Sequence, residues 1–107
     1  MELRIGIDAT NIRRGGGLHH LREVLLNFNR SSLNIKDVII WTNNSIINEL
    51  PKFDWIRLVD VNDQINSWIG LLKWQLIIFN KELQKNDCDL LFIPGGIYLG
   101  RFKPFVV

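Results

Sequence analysis

Two arginines, three glycines and two histidines crowd into one short stretch, NIRRGGGLHHL at residues 11–21. Glycines lack a Cβ atom, so their backbone N–H groups can approach a bulky anion, and arginine offers a charged fork that matches phosphate oxygens. Where such a stretch runs into a helix, the positive end of the helix dipole points at the same place. The chemistry favoured for Arg13, Arg14, Gly15, Gly16 and Gly17 is therefore the binding of a phosphate, a diphosphate or a crowded polar ligand. A plain flexible connector is the competing reading of the same residues. His19 and His20 fall in the first turn of the expected helix, where an imidazole can hydrogen-bond ligand hydroxyls. The ordinary alternative puts one ring against the sheet and the other in solvent. Neither histidine has Cys, Asp or Glu at metal-ligand spacing, so no metal is expected.

The elements that must position these residues alternate in type. LRIGID (3–8) reads as a first strand ending at Asp8, whose carboxylate is expected to brace the loop by accepting from nearby amides, with accepting from a ligand as the alternative. LHHLREVLLNFN (18–29) reads as a helix with Leu18, Leu21, Val24, Leu25 and Phe28 on one stripe. DVIIWT (37–42) is a strand buried on both faces, followed by a short helix over 46–50 that Pro51 ends. WIRLVDV (55–61) is a third strand, 65–86 a long helix with Trp68, Leu72, Leu76, Phe79 and Leu83 inward, DLLFI (89–93) a fourth strand, and PFVV (104–107) the start of a fifth. Strand–helix alternation predicts an α/β domain, a Rossmann-like doubly wound parallel sheet with right-handed crossovers. Ligands bind such sheets beyond the carboxyl ends of the strands, where the strand order reverses. Two glycine-rich loops are expected there, Gly15–Gly17 after strand one and Gly95–Gly96 after strand four, with Tyr98 beside the second for a ligand to stack on. Arg101 and Lys103 are the ordinary cover of an exposed edge.

Familiar phosphate motifs fit poorly. In the dinucleotide pattern G-x-G-x-x-G, Gly15 and Gly17 take the first two places, but the third falls on His20. Strand two runs into Thr42, Asn43 and Asn44 rather than the ribose-binding acid, and no Gly-Lys-Ser/Thr follows the glycines. The 107 residues, 47% hydrophobic and 22% charged, suffice for one domain with a core, and the net charge of +2 makes no case for nucleic acid. A single cysteine, Cys88, cannot form an internal disulfide and fits a reduced, cytoplasmic chain. MELRIGIDAT carries no signal-length apolar stretch, and WIGLLKWQLIIF (68–79) is broken by Lys73 and Gln75 and too short to span a bilayer. That segment is apolar nearly all round, which normally means burial; contact with a membrane surface or a partner is the sharper alternative.

IGIDATNIRRGGGLHHL resembles the opening of the family 4 glycosyltransferases of GT-B fold, and LLFIPGGIYLGRFKPFVV resembles their fourth strand, its Pro-Gly-Gly loop and the strand beyond. The resemblance spans the chain in element order, with motif-like detail in those two stretches only. It implies that residues 1–107 are the N-terminal, acceptor-side half of a GT-B enzyme, cut in mid-fold before the strand begun by FKPFVV is complete. The C-terminal half, which binds the nucleotide-sugar and carries a glutamate pair, would be absent. It further implies transfer of a sugar from a nucleotide-sugar donor to a glycan or lipid-linked acceptor in surface polysaccharide assembly, with retention of configuration, without metal or other cofactor, and with peripheral membrane contact. Gly15–Gly17 would lie against the donor diphosphate or the transferred sugar, His20 would be the histidine matching the family's, and the 107 residues alone would be inactive. The readings from other classes are a non-catalytic nucleotide- or anion-binding module and an NAD-dependent oxidoreductase domain.

Overall fold

The computed structural model describes residues 2–10, 12, 16–27, 34–65, 67–94 and 105–106. Its strands are β1 (Leu3–Ala9), β2 (Ile35–Thr42), β3 (Ile56–Asp60), β4 (Leu90–Phe92) and the two-residue β5 (Phe105–Val106). All the pairings are parallel, in the order β3-β2-β1-β4-β5. Chain order runs outward one way from β1 and then resumes on its other side at β4. The order reverses between β1 and β4, as expected of a Rossmann-like sheet.

Alternation along the strands divides the core in two. Ile5, Ile7 and Ala9 of β1, with Val38 and Ile40 of β2, pack against Leu18, Leu21 and Leu25 of helix α1 (Gly16–Leu26). Ile39 and Trp41 face the opposite side, with Leu91, Trp74, Phe79 and Leu83. Helices therefore cover both faces, which is why β2 reads as a continuous apolar run. Gly6 lies on the second face. A Cβ there would sit 2.7 Å from Leu83 Cδ2, 3.1 Å from Trp41 and 3.2 Å from Cys88 Sγ, so only glycine lets the helix approach β1 this closely.

Several boundaries differ from the pattern-based expectation. Helix α1 begins two residues earlier, at Gly16, and Phe28 lies outside the described residues. The short helix α2 is Asn44–Ile47, capped by the Asn43 side chain, which accepts from the Ser45 N–H. The largest correction concerns 65–86. The stretch 62–85 is broken into α3 (Asn62–Ile65), α4 (Trp68–Lys73), a π-helical turn at Trp74–Ile78, and α5 (Phe79–Lys85). At the turn the Phe79 N–H donates to the Trp74 carbonyl, five residues back rather than four. The extra residue rotates everything before it by one position. Trp74 and Gln75 turn inward, while Trp68 is 72% exposed and Leu76 50%, with Leu72 also exposed. Of the predicted inner stripe only Phe79 and Leu83 are buried. A strict 3.6-residue period cannot foresee this, because the π turn breaks the period.

Helix α5 ends in a Schellman turn: the Asp87 N–H donates to the Gln84 carbonyl and the Cys88 N–H to the Leu83 carbonyl. Asp87 takes the positive φ of 55° that glycine usually supplies. Burial pushes the Cys88 thiol up to about 11, so it is a neutral packing group at physiological pH.

Candidate functional site

Because the strands are parallel, the segments after β1, β2, β3 and β4 all emerge along one edge of the sheet. Asp8 and Thr10 close the end of β1. Asp8 Oδ1 accepts from the Thr10 backbone N–H at 3.1 Å and from its hydroxyl at 2.6 Å. This is the loop-bracing role expected of Asp8, but it uses one oxygen only. Oδ2 is buried and has no hydrogen-bond partner. Burial pushes the carboxyl up from its ordinary 3.8, against the two Thr10 bonds that act the other way.

The loop leaving β1 is held from β2. The Ile12 N–H donates to the Ala9 carbonyl, the Thr42 hydroxyl donates to that same carbonyl at 3.2 Å, and Asn43 Nδ2 donates to the Ile12 carbonyl at 3.5 Å. In the sequence Thr42 and Asn43 stand where an acid is expected, and Asn43, with Asn44 and Ser45, is also a candidate cap for the short helix that follows. The structure gives them a different role, as braces that carry the loop into α1.

Gly16 and Gly17 are the first two residues of α1, and both are exposed. A Cβ on Gly16 would meet nothing within 4 Å, and one on Gly17 would make an ordinary 3.5 Å contact with Ile12 Cδ1. Neither has a positive φ. So neither packing nor backbone conformation requires glycine here, although glycine disfavours a helix by about 1 kcal/mol relative to alanine. The first turn also carries no acidic residue that would compensate the dipole. His19 and His20 are exposed in the same turn, next to buried Leu18 and Leu21. The structure thus brings Gly16, Gly17, His19 and His20 together at the start of α1. Arg13, Arg14, Gly15, Gly95, Gly96 and Tyr98 lie outside the described residues.

No family model matches this chain, and no curated protein or solved structure is significantly similar to it.

The chain contains one Asp-x-Asp triplet, Asp87-Cys88-Asp89, a spacing at which paired carboxylates can share a cation. The structure puts it at the opposite edge of the sheet, where the Asp89 side chain accepts from the Arg4 N–H and Asp87 closes α5. Among the described residues no group of three or more His, Cys, Asp or Glu is arranged to hold a metal ion. No helix among them is long and apolar enough to cross a membrane.

Proposed function

We propose that this chain is the acceptor-side domain of a GT-B glycosyltransferase resembling family 4, with its working edge at the carboxyl ends of β1 and β4. One observation carries the reading. Two glycines open α1 where neither packing nor backbone conformation asks for them, beside the point where the strand order reverses. In the reaction, the bond from the anomeric carbon to the diphosphate oxygen breaks, the acceptor oxygen takes its place, and the acceptor hydroxyl loses its proton. Negative charge grows on the departing nucleoside diphosphate, and amides fixed at a helix N-terminus stabilise it without reorganising. Arg13 and Arg14 supplement that field. His20 is assigned to a hydroxyl of the transferred sugar or of the acceptor, with His19 beside it, while Gly95, Gly96 and Tyr98 form the acceptor side. By the same resemblance the transfer retains configuration and needs no metal. The donor is held mainly by a second domain, and the enzyme works at the cytoplasmic face of a membrane on a glycan or lipid-linked acceptor.

Thermal-shift titration tests this directly. A nucleoside diphosphate is expected to raise the melting temperature of the chain, and NAD to raise it less. Stabilisation by NAD alone would support the dinucleotide oxidoreductase reading instead, and equal stabilisation by inorganic pyrophosphate would favour a non-catalytic anion module. Reading the gene beyond codon 107 provides the second arm. A following strand–helix domain with two glutamates on one helix face is expected; an immediate stop codon would overturn the assignment.

A further inference from the structure

Helix α4 holds no buried residue, yet it is well made. The Ser67 hydroxyl accepts from the Gly70 N–H at 3.1 Å, the Ser67 carbonyl accepts from the Leu71 N–H, and α4 runs directly into the π turn. The face turned away from the sheet is apolar. Trp68 is 72% exposed, Ile69 61%, Ile77 51%, Leu76 50% and Leu72 37%. They fall on two adjacent rows with a step of four, Trp68–Leu72–Leu76 and Ile69–Lys73–Ile77, the spacing of a ridge along a helix. The wider step of the π turn keeps Leu76 and Ile77 in line with those rows instead of letting them drift round the helix.

Single exposed apolar residues are ordinary, but a contiguous stripe marks an interaction surface. The five side chains expose roughly 500 Å² of apolar surface. Two such faces in contact would cover about 1,000 Å², the size at which specific interfaces begin.

Charge separates the possible occupants. Between residues 60 and 87 the acids Asp60, Asp63, Glu82 and Asp87 outnumber the lysines Lys73, Lys81 and Lys85. An anionic lipid surface asks for the reverse. A second copy asks only for a face that complements itself. The row Trp68–Leu72–Leu76 does so, because it is symmetric about Leu72. Where two such helices cross antiparallel at Leu72, Trp68 of each meets Leu76 of the other, and the helix dipoles oppose. Lys73 stands in the second row, where its apolar stem can lie along the contact with its ammonium in water.

We propose that this face joins two copies of the chain in a twofold dimer with Leu72 at the axis. No residue of the glycine loop takes part, so the dimer stands or falls apart from the glycosyltransferase reading.

The test is sedimentation velocity of the 107-residue chain at tens of micromolar. A species of twice 12.5 kDa is expected. Leu72→Lys, which sets two added ammonium groups face to face, should weaken association at least tenfold with the urea midpoint unchanged. Leu26→Lys, at an exposed apolar position on α1, across the sheet, should leave the dimer as it is. An unaltered chain that stays monomeric, or grows beyond two copies, would overturn the proposal without reference to any variant. So would a Leu72→Lys dimer as tight as the parent's, or an equal loss with Leu26→Lys, the mark of unspecific apolar contact. A monomer that co-sediments with phosphatidylglycerol vesicles would give the face to a membrane and overturn the dimer.

Discussion

The two edges of the sheet are built on opposite principles. At the amino ends of the strands every polar group in the described network is engaged. Arg4 Nε pairs with Asp37 at 2.7 Å, its Nη1 donates to the Asn86 carbonyl at 2.7 Å, and its backbone N–H donates to Asp89 at 2.8 Å. That hydrogen bond to Asp37 holds the guanidinium still more firmly protonated. This one residue thereby ties β1 to β2 and to the end of α5 through its side chain, and to the residue before β4 through its backbone N–H. Among the described residues the buried side-chain atoms left without a partner are Asp8 Oδ2, at the carboxyl-end edge, and the Trp74 indole nitrogen. A fold that pairs its polar groups at one edge and leaves buried ones without partners away from it concentrates its polar stabilisation at the first.

The largest effect is expected between the two edges, where packing is tightest. Gly6→Ala places a methyl against Leu83, Trp41 and Cys88 and is expected to destabilise by about 1–3 kcal/mol, read from urea midpoints. A change below half a kcal/mol would show that the helix can lift from β1 freely. Next comes Arg4→Met, which strands the Asp37 carboxylate and the Asn86 carbonyl. A loss of about 1–2 kcal/mol is expected, with nucleoside diphosphate affinity unchanged. If affinity falls in proportion, the two edges are coupled and the division of labour fails.

The opposite edge should respond in the opposite sense. Gly16→Ala with Gly17→Ala meets no steric obstacle, so stability is expected to rise by up to about 1 kcal/mol as helix propensity improves. Nucleoside diphosphate binding should weaken at least threefold in the same protein. Stabilisation with undiminished binding would mean that the glycines serve no ligand. Asp8 adds a dependence on pH. Its carboxyl titrates higher in the folded chain than its ordinary 3.8, so ionisation works against folding. Relative to Asp8→Asn, the natural chain should be at its best below pH 3.8 and lose ground as pH rises through the folded value. Denaturant midpoints of both proteins across that range measure this, and a pH-independent difference would clear Asp8 of any such role.

Much of this scaffold was legible in residue order, since Ile and Val runs alternating with a Leu18–Leu21–Leu25 stripe leave few arrangements other than a parallel sheet. The switch point followed from the same logic. Asp8 as a brace was legible because an Asp ending a strand has few other local partners. What escaped was of two kinds. The braces Thr42 and Asn43 act across 33 and 31 residues of sequence, a separation at which no local pattern exists. The inward turn of Trp74 escaped because it depends on a change of helical period, and the outward apolar face of α4 went with it. The Schellman turn at Asp87 escaped for a third reason: its sequence signal is a glycine, and this chain uses aspartate.

The π turn has a further consequence, one of ancestry. Going from four to five residues in one helical step is the geometric equivalent of inserting a single residue into a regular helix. Remove one residue between Gln75 and Ile78, and a straight α-helix would still present Trp74, Phe79 and Leu83 to the sheet in their present order. Relatives of this chain should therefore differ here by a single codon, and an alignment that permits no gap at 75–78 would pair Trp74 with the wrong neighbour along the whole of the helix before it.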